Sequence, residues 1–255
     1  MSNDTSQAFL DSLPELKDGE TFTFACNEKV PCFNRCCAEL TLPLTPYDML
    51  RLCRHFGIKS EDFIKNHTQV RTFPDTGFPL PLLKMQDGPS EPCPFVTPAG
   101  CSIYEDRPGA CRTYPLGRGT KVDEEGNVVE RFFIVQESHC KGFEHGNNWT
   151  AQEWLKDQGL EPYNESNDRY MRLMAQVKKS GSPVSPKMAT MIILCLYQLD
   201  QFRAFIANMK IFDKVEVSNA KCEAIMASDE ACLNFAYEWL ELVMFSKCPT
   251  LKRKA

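Results

Sequence analysis

Pro92-Cys93-Pro94-Phe95 and, after four intervening residues, Gly100-Cys101-Ser102-Ile103-Tyr104-Glu105-Asp106-Arg107-Pro108-Gly109-Ala110-Cys111-Arg112-Thr113-Tyr114-Pro115 decide how the first half of this chain folds. The stretch sets Cys93, Cys101 and Cys111 among prolines and glycines, with almost no helical periodicity. It offers little apolar surface to bury, so something other than a core must hold it. Upstream, Cys26-x5-Cys32-x3-Cys36-Cys37 supplies four more thiols, and Cys140 brings the set to eight. Thiolates are soft donors suited to zinc, copper(I) and iron–sulfur clusters. A tetrahedral zinc site takes four of them, and so does a cubane cluster. Eight serve two mononuclear sites, one cluster with spare thiols, or a larger assembly.

The spacing departs from the paired Cys-x2-Cys knuckles of zinc ribbons. Cys36 and Cys37 are adjacent, and in an extended backbone their side chains point to opposite sides. The pair then serves two metals, or one cysteine ligates while the other packs. Arg35, Arg107 and Arg112 alternate with the thiols, and guanidinium groups there offset thiolate charge and donate hydrogen bonds to sulfur. Pro108 fixes the turn that aims Cys111. Tyr104 and Tyr114 either wall the site or join the core. His139 and His145 flank Cys140 and are candidates to replace a cysteine as ligand, whereas His55 and His67 read as surface residues of helices. So many thiols in turns favour ligation over a cysteine nucleophile.

The rest of the composition is that of an ordinary globular chain. Its 255 residues suffice for one large or two small domains, and 43% are hydrophobic. A net charge of −5 gives no ground for nucleic acid or an anionic membrane as a partner. Lys252-Arg253-Lys254 reads as a solvated tail. Met1–Glu20 is polar and acidic, without the pattern of a secretory signal. The most apolar stretch, Met188–Leu199, falls short of the roughly 20 residues a membrane-spanning helix needs. A cytoplasmic location is therefore expected. In that reducing compartment the odd total of 13 cysteines argues against a disulfide framework. Cys53, Cys195, Cys222 and Cys232 lie in helical patterns, where a cysteine acts as a small core hydrophobe.

The expected fold class is α+β: an irregular, metal-clamped, cysteine-rich module with a small β-hairpin, followed by an all-helical region. Residues 1–20 read as a loosely ordered lead with a short helix at Ser6–Leu13, 21–146 as the cysteine-cluster metal-binding domain, and 147–255 as the helical domain. Thr21–Phe24 alternates as a strand does. Thr45, Pro46 and Asp48 open a helix over 46–56 that Gly57 stops. Ser60 caps a second helix to His67, and a strand is expected at Leu82–Gln86. Leu116–Val122 and Val128–Gln136 form the hairpin around Asp123–Asn127. Thr150 with Glu153 makes a capping box for a helix to Lys156. Helices are expected over Asn167–Lys179, Pro186–Met209 and Asn219–Met226, and over a last one capped by Ser228 and ending near Phe245. The apolar stripe Met188, Ile192, Ile193, Leu196, Leu199, Phe202, Phe205 suits a bundle core. These C-terminal helices also offer a surface for a protein partner or for self-association.

The loop containing Cys36-Cys37, the helix start Leu44-Thr45-Pro46-Tyr47-Asp48, and above all Arg107-Pro108…Cys111-Arg112…Pro115 resemble the YkgJ-type cysteine cluster proteins. These carry a zinc- or iron-chelating domain that the flagellin lysine N-methylases share. The resemblance covers roughly residues 24–145. It implies metal binding through Cys26, Cys32, Cys36, Cys37, Cys93, Cys101 and Cys111, with Cys140 as the eighth. Irregular spacing, the vicinal pair and the cationic surround lean toward an iron–sulfur cluster, with zinc as the alternative cofactor. The functional expectation is a cytoplasmic metal-binding, redox-related protein. The alternative is a protein lysine N-methyltransferase, although no Gly-rich loop follows a strand in a βαβ unit. Ligand binding free energy is folding free energy in such modules. Cys36→Ser combined with Cys111→Ser is therefore expected to abolish metal retention and lower the melting temperature of the cysteine module; full metal content with unchanged melting overturns this.

Overall fold

The computed structural model describes residues 12–254. The helix expected at Ser6–Leu13 lies, over residues 6–11, outside the described residues. In chain order, β1 (Glu15–Leu16) and β2 (Thr21–Phe24) lead to α1 (Pro46–Phe56) and α2 (Ser60–His67), then to β3 (Thr68–Thr72) and β4 (Pro79–Leu83). The quoted cysteine stretch contains β5 (Val96–Thr97), β6 (Gly100–Cys101) and the short α3 (Gly109–Thr113). β7 (Leu116–Val122), β8 (Val128–Ile134) and β9 (Asn147–Thr150) complete the strands. The remainder is helical: α4 (Ala151–Asp157), α5 (Glu161–Ser180), α6 (Pro186–Tyr197), α7 (Leu199–Asn208), α8 (Ile211–Lys214), α9 (Asn219–Ala227) and α10 (Asp229–Phe245). The fold is α+β.

Packing divides the chain into two units, Met1–Leu44 with Leu82–Asp168, and Thr45–Pro81 with Arg169–Ala255. The linear division at residue 146 is not the division by packing. Residues 45–81 join the later helices because α1 buries Tyr47, Met49, Leu50 and Leu52, an apolar face that α6 and α10 cover. Residues 147–168 join the cysteine unit because β9 pairs with β2.

In the cysteine unit β1, β8 and β7 form an antiparallel sheet in that order. The β7–β8 hairpin runs in register from Leu116 opposite Ile134 to Val122 opposite Val128. The end of the lead is ordered as its third strand: Leu16 is buried and pairs with Phe132. β2 pairs antiparallel with β9, Thr21 opposite Thr150 and Phe24 opposite Asn147. The core between these layers comprises Leu16, Phe22, Phe24, Leu116, Phe132 and Trp154. Phe24 is its hub, with edge-to-face rings of Phe143 at 5.3 Å, Trp154 at 5.6 Å and Tyr114 at 5.7 Å. Each such pair adds about 1 kcal/mol beyond area burial. Trp149 Nε1 donates to the Phe24 carbonyl, and Trp154 Nε1 to that of Thr113. α4 opens with the expected box, Thr150 Oγ1 accepting from Glu153 N and the Glu153 carboxylate from Thr150 N.

The helical unit starts with the second box, Thr45 with Asp48, and Pro46 lies at the first position of α1; Gly57 closes α1 at φ 61°. Ser60 is not the cap of α2: Lys59 occupies that position, and the Ser60 hydroxyl donates to Asp200 instead. The helix expected over 186–209 is two helices, broken where Gln198 adopts φ −131° and ψ 60°. Ile192, Cys195, Leu196, Phe202, Cys232, Phe235 and Leu240 fill the core. Among the described residues no helix is long and apolar enough to cross a membrane.

Gly146 sits at φ +95°, where an added Cβ meets the Phe24 carbonyl oxygen and comes within 2.6 Å of Ala25 Cβ. Gly146→Ala combines a steric clash with a conformation that L side chains avoid. It is expected to destabilise the cysteine unit by about 3 kcal/mol, read from chemical denaturation.

Candidate metal centre

Backbone pairing gathers the eight thiols into two neighbourhoods. The β2–β9 ladder continues into the Ala25 N–H, which donates to the Gly142 carbonyl at 3.1 Å. That bond carries Cys26 toward Cys140. Next to it the Lys141 N–H donates to Cys32 Sγ at 3.1 Å, a direct backbone bond to a candidate ligand. Cys26, Cys32, Cys36 and Cys140 line one small cavity of about 10 Å3 with Tyr114, His139 and Gly142. Elsewhere the Cys93 N–H donates to the Cys37 carbonyl at 2.8 Å, beside the bridge of Ala38 with Pro92. The β5–β6 turn sets Val96 opposite Cys101, and α3, entered through Pro108, presents Cys111. Cys37, Cys93, Cys101 and Cys111 line a larger cavity of about 990 Å3, whose wall also includes Cys26 and Cys36.

The thiol electrostatics follow the same grouping. Surrounding protein raises the Cys26 thiol to about 11, and Cys36, Cys32 and Cys140 add to the effect; its sulfur is shielded although the residue is exposed. Cys37 is driven far above the ordinary thiol range by its hydrogen-bonding neighbour Cys36 and by burial, with smaller contributions from Cys36, Cys111 and Cys93 charges. Cys36 moves the other way, to about 7, because the Cys37 thiol donates toward its sulfur and outweighs burial. Burial raises Cys93 and Cys101, while backbone N–H groups of Phe95 and Val96, and of Ile103, partly offset it. All thirteen cysteines lack a disulfide. Cys195, Cys232 and Cys248 are buried, as core hydrophobes are.

Two of the three arginines flank the larger cavity's thiols. Arg107 and Arg112 are each 8% exposed. Arg107 donates to the carbonyl oxygen of Tyr104 at 2.6 Å and to Gln158 Oε1, and lies 3.7 Å from the centre of the Tyr104 ring. Arg112 donates to the carbonyls of Arg107, Gln158 and Glu105. Among the described residues neither guanidinium has a carboxylate partner. Burial lowers the Arg107 pKa, and Cys101 and Cys111 are among the groups that oppose that shift. Arg35 is exposed and lines neither cavity. Tyr104 is half-exposed at the rim, whereas Tyr114 lies between Phe24 and Cys140, its hydroxyl raised in pKa by burial and by Cys140.

His139 lines both cavities, and its Nε2 is buried without a hydrogen-bond partner. His145 is exposed. Sequence reasoning missed Gln158, Trp149, Trp154, Asn27 and Asn34, all in the larger cavity's wall. Gln158 was legible only through the cap of α4, and nothing in its local sequence ties it to arginines more than 40 residues away.

Residues 25–141 match the model of the CxxCxxCC family, described as a "Putative zinc- or iron-chelating domain". No curated protein and no solved structure matches the chain. The donor set fits a metal: reduced thiols from five backbone segments, backbone N–H groups on sulfur, and two buried cations that lack acids. Among the described residues no three His, Cys, Asp or Glu side chains are already arrayed around one ion point, so binding must draw the sulfurs inward.

With its thiol lowered to about 7 while Cys26, Cys37, Cys93 and Cys101 are raised, Cys36 is more ionised than these four near neutral pH. In metal-free protein at pH 7.5 iodoacetamide is expected to label Cys36 before those four, and Cys37→Ala to slow that labelling, both read by peptide mass mapping. Equal labelling of the five contradicts the shift.

Proposed function

We propose that the chain is a cytoplasmic metalloprotein whose cysteine unit holds an iron–sulfur cluster and serves a redox role. The observation that carries this is the pair Arg107 and Arg112, both buried, with Arg107 in the wall that holds Cys37, Cys93, Cys101 and Cys111, and both with carbonyl but, among the described residues, no carboxylate acceptors. Hydrogen bonds to carbonyls satisfy the N–H groups but leave two positive charges in a poorly solvated place. A four-thiolate centre carries the opposite charge. When bound, a cluster accepts and returns single electrons. The chain's part is to supply thiolates, backbone N–H groups at Cys93 and Cys101, and cations that favour the reduced form. A cavity of about 990 Å3 has room for a cluster as well as for a lone ion.

The methyltransferase alternative gains no support from the fold. A βαβ methyl-donor site needs parallel strands, and the three-stranded sheet is antiparallel throughout.

The test is an absorption spectrum with elemental analysis of protein purified without oxygen. A brown protein with iron and sulfide in comparable amounts is expected. A colourless protein carrying only zinc replaces the redox role with a structural one, and protein without any metal overturns metal binding itself.

A further inference from the structure

We infer that the eight thiols form two centres of unequal kind sharing a wall: a single-ion site for a soft divalent cation at Cys26, Cys32, Cys36 and Cys140, and the larger centre at Cys37, Cys93, Cys101 and Cys111. This deepens the metal-binding reading above and rests on it.

Backbone hydrogen bonds link members within each set, Ala25 to Gly142 and Lys141 to Cys32 Sγ in the first, Cys93 to Cys37 in the second. The two sets come closest at Cys36 and Cys37, which are adjacent in the chain. Cys32 and Cys140 line only the small cavity and Cys37, Cys93, Cys101 and Cys111 only the large one, while Cys26 and Cys36 line both and form the shared wall. One four-coordinate ion therefore cannot take both sets, and each set has the four donors that a tetrahedral site needs.

Size separates the two. The first cavity, about 10 Å3, has the room of about one water-sized sphere, which suits one ion. The second is far larger, and the buried Arg107 is part of its wall. Beside the first set stand the Lys141 N–H, the Tyr114 hydroxyl and the buried His139 Nε2. Four thiolates, a small cavity and an imidazole nitrogen select a soft or borderline divalent cation over magnesium or calcium, which take oxygen donors.

Cobalt(II), whose tetrahedral thiolate complexes absorb strongly in the visible, serves as the probe on the full-length chain stripped of metal. The Cys93→Ser/Cys101→Ser variant is expected to bind one equivalent with the tetrahedral thiolate spectrum. The Cys32→Ser/Cys140→Ser variant, whose two sulfurs line only the small cavity, is expected to lose that equivalent while keeping the larger centre's metal after anaerobic reconstitution with iron and sulfide. Cys140→Ser alone changes a sulfur that lines only the small cavity and should weaken cobalt at the first site without touching the second, which guards against a folding defect in the double variants. If either double variant loses all metal while its melting temperature is retained, or if wild-type protein binds only one centre's worth, the two-centre division is overturned and metal binding stands. Wild-type protein that takes up neither cobalt nor iron overturns the metal reading itself.

Discussion

The antiparallel ladder of β2 on β9, closed by the ring of Phe24 against Trp154, is the constraint on which the cysteine unit depends. It joins segments 125 residues apart. Closing so long a loop costs conformational entropy that a few thiols in turns cannot offset by themselves. The ladder does so with backbone hydrogen bonds and four aromatic rings, and then delivers Cys26 next to the Gly142 backbone. With that closure made, the remaining contacts are short-range: Lys141 reaches Cys32, and the segment carrying Cys37 lies along the one carrying Cys93. Gly142 and Gly146 are required there because Phe24 and Ala25 press on the backbone where a Cβ would stand.

A second constraint is charge. Burying a guanidinium without an acid is unfavourable by several kcal/mol unless another anion is near. Arg112 spans the carbonyls of Glu105, Arg107 and Gln158, so it straps the loop before Cys111 to the end of α4. Arg107 reaches the same Gln158 through its side chain. The strap orders the loop while leaving positive charge facing Cys101 and Cys111. Fold and centre are thus one device in this unit. The helical unit is of another kind: its core is apolar, its caps are local, and its ion pairs, such as Arg54 with Asp229 and Glu230, are exposed and contribute little.

Elements whose causes lie within a few residues were legible in the sequence. Thr45 with Asp48, Thr150 with Glu153, and the turn-rich Asp123–Asn127 before the apolar end of β8 each state their own structure. Pairings that depend on distant partners were not. Nothing in Thr21–Phe24 names β9, and nothing in Glu15–Leu16 announces a third strand beside β8. Ser60 looks like a cap, but Asp200, 140 residues away, takes its hydroxyl.

For the candidate site, the sequence by itself determined the donor chemistry: eight cysteines in turns, arginines between them, a family motif over residues 25–141. Only the tertiary structure decided which sulfurs are neighbours. Cys36 lines both cavities and Cys37, one peptide on, only the larger, while Cys26 and Cys140, far apart in the chain, share the smaller. It also decided that Gln158 serves the arginines and that His139 reaches the cavity walls whereas His145 does not. The physical reason is that ligand type is a property of the residue, written in the chain. Ligand grouping is a property of backbone hydrogen bonds and ring packing between segments far apart in sequence, and the sequence carries no local signal for those.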